Sequence, residues 1–302
     1  MPRLLVTADL HFLPTFAAAV RTAIEDEAQR LAAAGTPPDA VVIAGDLGDM
    51  IDAKQPGKDT RELLRTMRRA FPGIPIAFCA GNHDVWIDPR SGMNSWDVYT
   101  RGLHQLAREE YTHYLDTMGP LVLPGATIVG SMGHYDYSLA EPGLTMGSVR
   151  VERKHYAKKT PPGWLRPLFN DAAFIQWEPL TDETATQRIG EQFARDLQRA
   201  AARAEPTLIV THTVPDARLN AWTAINRETG DPAGLFLSAF SGTTHTGELI
   251  RRHCGDLATR VPVLAACGHT HQRIERYQDA GIAWWNVGAD YGEPRFDLID
   301  LE

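Results

Sequence analysis

Short apolar runs alternate with amphipathic stretches from the first residues of the chain onward. Leu4-Leu5-Val6 is followed by a helical pattern over 15–34, then by Ala40-Val41-Val42-Ile43, a second helical pattern over 59–70 and a run from Ile74 to Phe78. Such runs are too short for helices, and their alternation with 3.6-residue periodicity predicts βαβ units in a layered α/β fold. A long helix is expected over about 96–118, and "LVLPGATIVGS" reads as two strands around a Pro-Gly turn. The pattern changes over about 134–180, where Tyr135, Tyr137, Tyr156, Trp164, Phe169, Phe174 and Trp177 occur among prolines without a steady period. This aromatic-rich stretch is expected to be an insertion or lid. A helix over about 182–204, capped by Thr181 or Asp182, leads back to strand-like runs at 207–210 and 263–266, with a helix near 244–253 between them. Strands at 272–277, 282–287 and 295–299 finish the chain. There is no internal repeat, low-complexity tract or flexible linker, so residues 1–302 read as a single domain.

Composition narrows the picture without redirecting it. A hydrophobic share of 43% and a charged share of 23% are ordinary for a globular protein, and no apolar run approaches the ~18 residues of a membrane-spanning helix. The opening "MPRLLVTADLHF" enters a strand without a cationic leader or long apolar stretch, which makes cytoplasmic location the expectation. The net charge of −8 disfavours a protein that wraps nucleic acid, because phosphate binding rests on clustered Lys and Arg. One local basic stretch, "RVERKHYAKK" at 150–159, is either a solvated face or a source of phosphate contacts through Arg153, Lys154, Lys158 and Lys159. Cys79, Cys254 and Cys267 are too few and too irregularly spaced for a disulfide framework or a thiolate zinc site, and read as small buried hydrophobes.

The candidate chemistry lies at the C-terminal ends of the apolar runs. "TADLH" places Asp9 and His11, "AGDLGD" places Asp46 and Asp49, "AGNHD" places Asn82, His83 and Asp84, "VTHTVP" places His212, and "ACGHTH" places His269 and His271. In layered α/β folds the loops that leave strand ends are where ligands gather, so these five segments are expected to converge on one edge. Asp9 and His11 are two apart and share a side of extended backbone, as do His269 and His271. Gly45, Gly81 and Gly268 are expected to let the chain turn sharply where each strand ends. Carboxylates, imidazoles and one neutral amide, with no thiolate, suit divalent Mn, Fe, Zn or Co. A single His or a single Gly-Asp carries little weight, but the ordered set does.

The succession Asp-x-His, Gly-Asp-x-x-Asp, Gly-Asn-His-Asp, a lone His and Gly-His-x-His strongly resembles the calcineurin-like metallophosphoesterases, over residues 9 to 271. The resemblance implies a four-layer αββα sandwich with two central mixed sheets and a binuclear metal centre at their edge. It puts one divalent ion on Asp9, His11, Asp46 and His271, and a second on Asp46, Asn82, His212 and His269, with Asp46 bridging. It makes His83 a catalytic group that contacts phosphate and protonates a leaving oxygen, and Asp49 the acidic residue that orients it. Two such ions, Mn in vitro, would activate a bridging hydroxide for direct attack on a phosphate ester, without a phosphoenzyme. A nucleotide-like phosphodiester is ranked first as substrate, on the intact Asn-His pair and the aromatic lid. A phosphomonoester follows, and a binding scaffold without catalysis is the reading from another class. Asp84 is open between catalysis and a hydrogen bond that pins its loop, and His134 and Tyr135 between the metal edge and packing beneath the lid.

Overall fold

The computed structural model describes residues 2–52 and 54–301. Its strands are β1 (Arg3–Thr7), β2 (Ala40–Ala44), β3 (Ile76–Cys79), β4 (His113–Tyr114), β5 (Leu121–Leu123), β6 (Ala126–Ser131), β7 (Thr145–Met146), β8 (Val149–Arg150), β9 (Thr207–Thr211), β10 (Val263–Cys267), β11 (Ile274–Asp279), β12 (Ile282–Asn286) and β13 (Asp297–Asp300). One sheet has five strands in the order β13-β1-β2-β3-β4 and the other six in the order β11-β12-β10-β9-β6-β5, while β7 and β8 form a separate hairpin. In the first sheet only the β1/β13 pair is antiparallel; in the second, the central β12, β10, β9 and β6 are parallel and the two edge pairs antiparallel. Both sheets are therefore mixed.

The apolar runs are continuous because both faces of these strands are buried. Leu4, Val6, Val42, Ala44 and Ala77 of the first sheet face Ile128, Leu208, Val210, Ala266 and Trp285 of the second and form the inner core. The alternate residues Leu5, Val41, Ile43 and Phe78 pack outward under helices Ala17–Ala33 and Lys58–Ala70, through Val20, Ile24, Leu63, Leu64 and Met67. Val129, Ile209, Ala265 and Trp284 do the same under helices Asp182–Arg203 and Thr244–Ala258, through Phe193, Leu197, Leu249 and Ile250. The result is the expected αββα arrangement of four layers. Among the described residues no helix is long and apolar enough to cross a membrane.

Two stretches depart from the sequence reading. The expected helix over 96–118 is broken: helical turns over 95–109 end where Tyr111 takes a left-handed φ of 52°, and His113–Tyr114 then pairs with β3 before a last turn at Leu115–Met118. Closing the sheet edge, where Tyr114 stacks on Phe78 at 5.1 Å between ring centroids, outweighs helix periodicity. The second is the region between β9 and helix Thr244–Ala258, which holds helices Ala221–Thr229 and Pro232–Leu237. Their signals were in the sequence: Asn220 and Asp231 cap them, Pro232 occupies the first turn, and Gly230 ends the first helix at a φ of 67°. Phe236, Ala239 and Phe240 of this region pack against Tyr135, Tyr137, Leu144, Val151 and Tyr156 of the aromatic-rich stretch, joining the two in one cluster beside the sheet edge.

Candidate metal centre

Each motif residue follows the C-terminal end of a strand: Asp9 and His11 after β1, Asp46 after β2, Asn82 after β3, His212 after β9 and His269 and His271 after β10. The parallel order β1-β2-β3 and the parallel neighbours β9 and β10 bring these ends to one edge of both sheets. Asp9, His11, Asp46, His269 and His271 all have left-handed backbone, with φ of 51°, 39°, 54°, 70° and 54°. Such conformations cost of order 1–3 kcal/mol in a non-glycine residue and persist where the surroundings over-determine them. Here backbone bonds from Asp9 N to Gly45 O (3.1 Å) and from His11 N to Asp46 O (2.9 Å) tie the loops together.

The motif glycines differ in purpose. Gly45 has a φ of 82°, so the expected sharp turn is present there. Gly81 and Gly268 have no left-handed φ, so backbone freedom is not what requires glycine at these two strand ends. A Cβ at Gly81 would collide with the carboxylate and backbone nitrogen of Asp46, and one at Gly268 with the carboxylate of Asp9. These two are glycines because a carboxylate lies against the backbone.

Ligand atoms of Asp9, His11, Asp46 and His271 lie within 4.8 Å of one another, as do those of Asp46, His212 and His269, with Asp46 common to both groups. The amide of Asn82 joins the second group, its Oδ1 lying 3.0 Å from His212 Nε2. The outward-facing atoms of these side chains are committed elsewhere. His212 Nδ1 lies 3.0 Å from Ala44 O, His269 Nε2 3.0 Å from Phe240 O, and His271 Nδ1 2.9 Å from Asp290 Oδ1. Each outer nitrogen therefore carries the proton and each inner nitrogen is an acceptor. Asn82 Nδ2 likewise donates to Asp171 Oδ1 at 3.0 Å, turning its oxygen inward. Inside the cradle, acceptor faces acceptor where His269 Nδ1 and His212 Nε2 lie 3.1 Å apart; His271 Nε2 points inward as well, 3.2 Å from His11 Nε2, while the buried Nδ1 of His11 has no hydrogen-bond partner among the described residues. Convergent lone pairs without a proton to share repel unless a cation lies between them, so the donor set fits two divalent ions.

Electrostatics point the same way. Burial, followed by neighbouring imidazoles, pushes His11 and His83 well below the ordinary histidine value, and His269 is lowered to about 4, again chiefly by burial. His212 is lowered well below its ordinary value by burial and by His269. Burial raises Asp9 to about 6, and burial with the charges of Asp84 and Asp9 raises Asp46 well above its ordinary value. Neutral imidazoles beside carboxylates that lack solvent are groups waiting for positive charge.

His83 stands on the open side of this cradle. Its ring stacks on Trp86 at 3.6 Å and 25°, its Nε2 lies 3.5 Å from the Tyr291 hydroxyl, and its buried Nδ1 has no hydrogen-bond partner. Asp49 does not reach it: the Asp49 carboxylate accepts from Ile51 N at 3.1 Å. The expected Asp49 to His83 contact is thus absent, and the stacked Trp86 ring holds the imidazole instead. Asp84 accepts from Leu47 N, Gly48 N and Gly81 N at 2.9, 3.1 and 2.7 Å, which is the loop-pinning role. His134 lies beneath the aromatic-rich stretch, between Asp182 and Trp177, and not at the metal edge. Arg153 pairs with Glu183, Lys154 with Glu152 and the buried Lys159 with Asp182, while Lys158 is exposed.

A cavity of about 560 Å³ opens from the cradle, with Asp46, Asn82, His83, His269 and His271 at its base. Phe169, Phe240, Trp222 and Tyr291 supply its aromatic walls, with Asn220, Asn226, Asp231 and Asp290 between them. Among the described residues neither Lys nor Arg lines it, and none of the basic stretch at 150–159 is in its wall. Sequence reading missed Trp222, Tyr291, Asp290, Asp171 and the Phe240 carbonyl. Of these only Asp290 and Tyr291 had a signal, as a polar pair behind the apolar run 282–287.

A sequence model described as calcineurin-like phosphoesterase matches residues 2–273. No curated protein matches the sequence. Among solved structures, a dimetal phosphatase from Danio rerio is similar in fold, with a TM-score of 0.52 and 12% identity over 99% of this chain and 92% of that one.

Proposed function

Because the chain belongs to the calcineurin-like phosphoesterase family and is thereby a metal-dependent phosphoric ester hydrolase, we propose that it acts on a phosphodiester whose leaving group carries a planar, nucleotide-like ring. The observation that carries this reading is the cavity: its aromatic walls extend beyond the cradle, where a bare monoester would leave them unused. Asp9, His11, Asp46 and His271 would hold one ion, and Asp46, Asn82, His212 and His269 the other. When bound, two such ions lower the pKa of a shared water and neutralise charge on the phosphoryl oxygens.

The chain's own residues supply the rest. His83, confined between Trp86 and Tyr291 and open to the cavity, donates a hydrogen bond from its ring N–H to the departing oxygen, whose proton comes from solvent, a contribution of about 10²–10⁴-fold for such groups. Trp222 and Tyr291 offer aromatic surface to the leaving group, and Asn226 and Asp231 offer polar groups. Without Lys or Arg in its lining, the cavity is poorly suited to a long polyanion.

The test is hydrolysis of bis-p-nitrophenyl phosphate against p-nitrophenyl phosphate by metal-stripped protein, with and without Mn²⁺, alongside His83→Ala. Expected is Mn²⁺-dependent turnover, faster on the diester, that falls by about 10²–10⁴-fold in the variant with bound metal unchanged. Faster turnover of the monoester would replace the diesterase reading with a phosphomonoesterase one. Two bound ions with neither ester cleaved would favour a binding scaffold.

A further inference from the structure

Asp171 opens the short helix Asp171–Phe174 of the aromatic-rich stretch and is fully buried. Its Oδ1 accepts from Asn82 Nδ2 at 3.0 Å and from Trp86 Nε1 at 2.6 Å, and its Oδ2 accepts from the Tyr135 hydroxyl at 2.9 Å. None of these three donors is cationic, so what residue 171 supplies to them is acceptor oxygen, not a counter-charge.

An amide side chain can face either way, and at Asn82 the two orientations have opposite consequences. With Nδ2 on Asp171, Oδ1 points at His212 Nε2, an acceptor because its ring donates to the Ala44 carbonyl. The space between them then suits a cation. Flipped, the amide would donate to His212 Nε2 and satisfy the pair without any ion, closing the position. The flip would also set the Asn82 oxygen against the Asp171 carboxylate, acceptor on acceptor. We propose that Asp171 is a positioning residue that locks the Asn82 amide in its metal-accepting orientation and so sets the affinity of the second ion position. This rests on the reading of Asn82 as a ligand.

The experiment titrates metal-free protein with Mn²⁺ by calorimetry, resolving two sites, for the wild type, Asp171→Ala, Asp171→Asn, Tyr135→Phe and Asn82→Ala. Expected is a loss of about 10–100-fold at one of the two sites in Asp171→Ala, the same site that Asn82→Ala weakens. Asp171→Asn is expected to rescue it, since one amide oxygen can still take both the Asn82 and Trp86 donors while its NH₂ faces the Tyr135 oxygen. Tyr135→Phe removes the third donor and is expected to leave both affinities in place, which separates orientation of Asn82 from general support of the region. If Asn82→Ala weakens one site and Asp171→Ala weakens neither, or both equally, the positioning role is overturned while the ligand reading stands. If Asn82→Ala binds both ions like the wild type, both readings fall. Should Asp171→Ala not fold, the side-chain amide of Asn82 in the wild type decides. A nuclear Overhauser contact between the Asn82 side-chain N–H and the Trp86 indole N–H, which share Asp171 Oδ1, supports the lock, and a contact from that N–H to the His212 ring overturns it.

Discussion

At the scale of single residues, the candidate centre depends as much on what is missing as on what is present. Asp46 is common to both ligand groups, and its carboxylate occupies the space that a side chain at position 81 would need. It also accepts the His83 backbone N–H at 2.9 Å, so moving it disturbs the loop that carries Asn82 and His83. Gly81→Ala is therefore expected to cost about 1–3 kcal/mol of stability, as overpacking does, and to weaken both ion positions together. Chemical denaturation and a two-site metal titration check this. A variant that lost stability and kept both affinities would show that Asp46 can shift without leaving the cradle. Residue spacing in the sequence made the ligand types legible, because each motif lies within a few covalent bonds. It could not make Asp49 and His83 meet, since their separation is decided by how the loop after β2 folds against β3.

At the scale of elements, the aromatic-rich stretch is anchored to helix Asp182–Arg203 by a buried charged cluster. Asp182 receives Lys159 Nζ at 2.5 Å, the Tyr137 hydroxyl at 2.6 Å and lies 3.1 Å from His134 Nε2. Burial acts to raise its pKa, but the hydrogen bond and charge of His134, with the Lys159 ammonium, outweigh it and hold the carboxylate well below its ordinary range. A depressed carboxylate stabilises the fold above its unfolded value near ~3.9, and that contribution is lost as pH falls through the folded value. Asp182→Asn leaves Lys159 buried without its anion, for an expected loss of about 3 kcal/mol at pH 7. Below about pH 4 the wild type should approach the variant. Urea unfolding of both proteins between pH 3 and pH 7 measures this; parallel curves across that range would remove Asp182 as the anchor. Aromatic composition marked this stretch in the sequence, but not its anchor. Lys159 and Asp182 are 23 residues apart, and a basic run reads as a solvated face until the fold buries one member of it.

For the whole molecule, the two sheets meet the site from opposite sides, and the His212 to Ala44 bond spans the gap between them at the edge. The inner core of Val6, Val42, Leu208, Val210 and Trp285 fixes their separation, and burying side chains of this kind contributes about 1.5–3 kcal/mol each. The cradle works against this, because its inward acceptors and buried carboxylates repel in the absence of positive charge. Metal should therefore stabilise the entire fold, by about 2.7 kcal/mol when free metal reaches about 100 times its dissociation constant. The expected outcome is a thermal midpoint that rises with Mn²⁺, falls with chelator, and shifts less in His212→Ala. A midpoint indifferent to metal would mean that the cradle closes on itself without ions.

The sequence by itself determined the strands of the two sheets except β4, the four long helices and the residue types at the strand ends. Hydrophobic periodicity and motif spacing are local properties, and burial on both faces left a continuous apolar signature in β1, β2, β3, β9 and β10. Only the tertiary structure decided which atoms face inward and what lies around them. The Phe240 carbonyl behind His269, Asp290 behind His271, Asp171 behind Asn82 and the Trp222 and Tyr291 walls come from segments distant in the chain. Their places are set by the packing of the two regions beside the sheet edge, which carry no repeating pattern. Contacts of that kind depend on three-dimensional proximity, and no spacing along the chain encodes them.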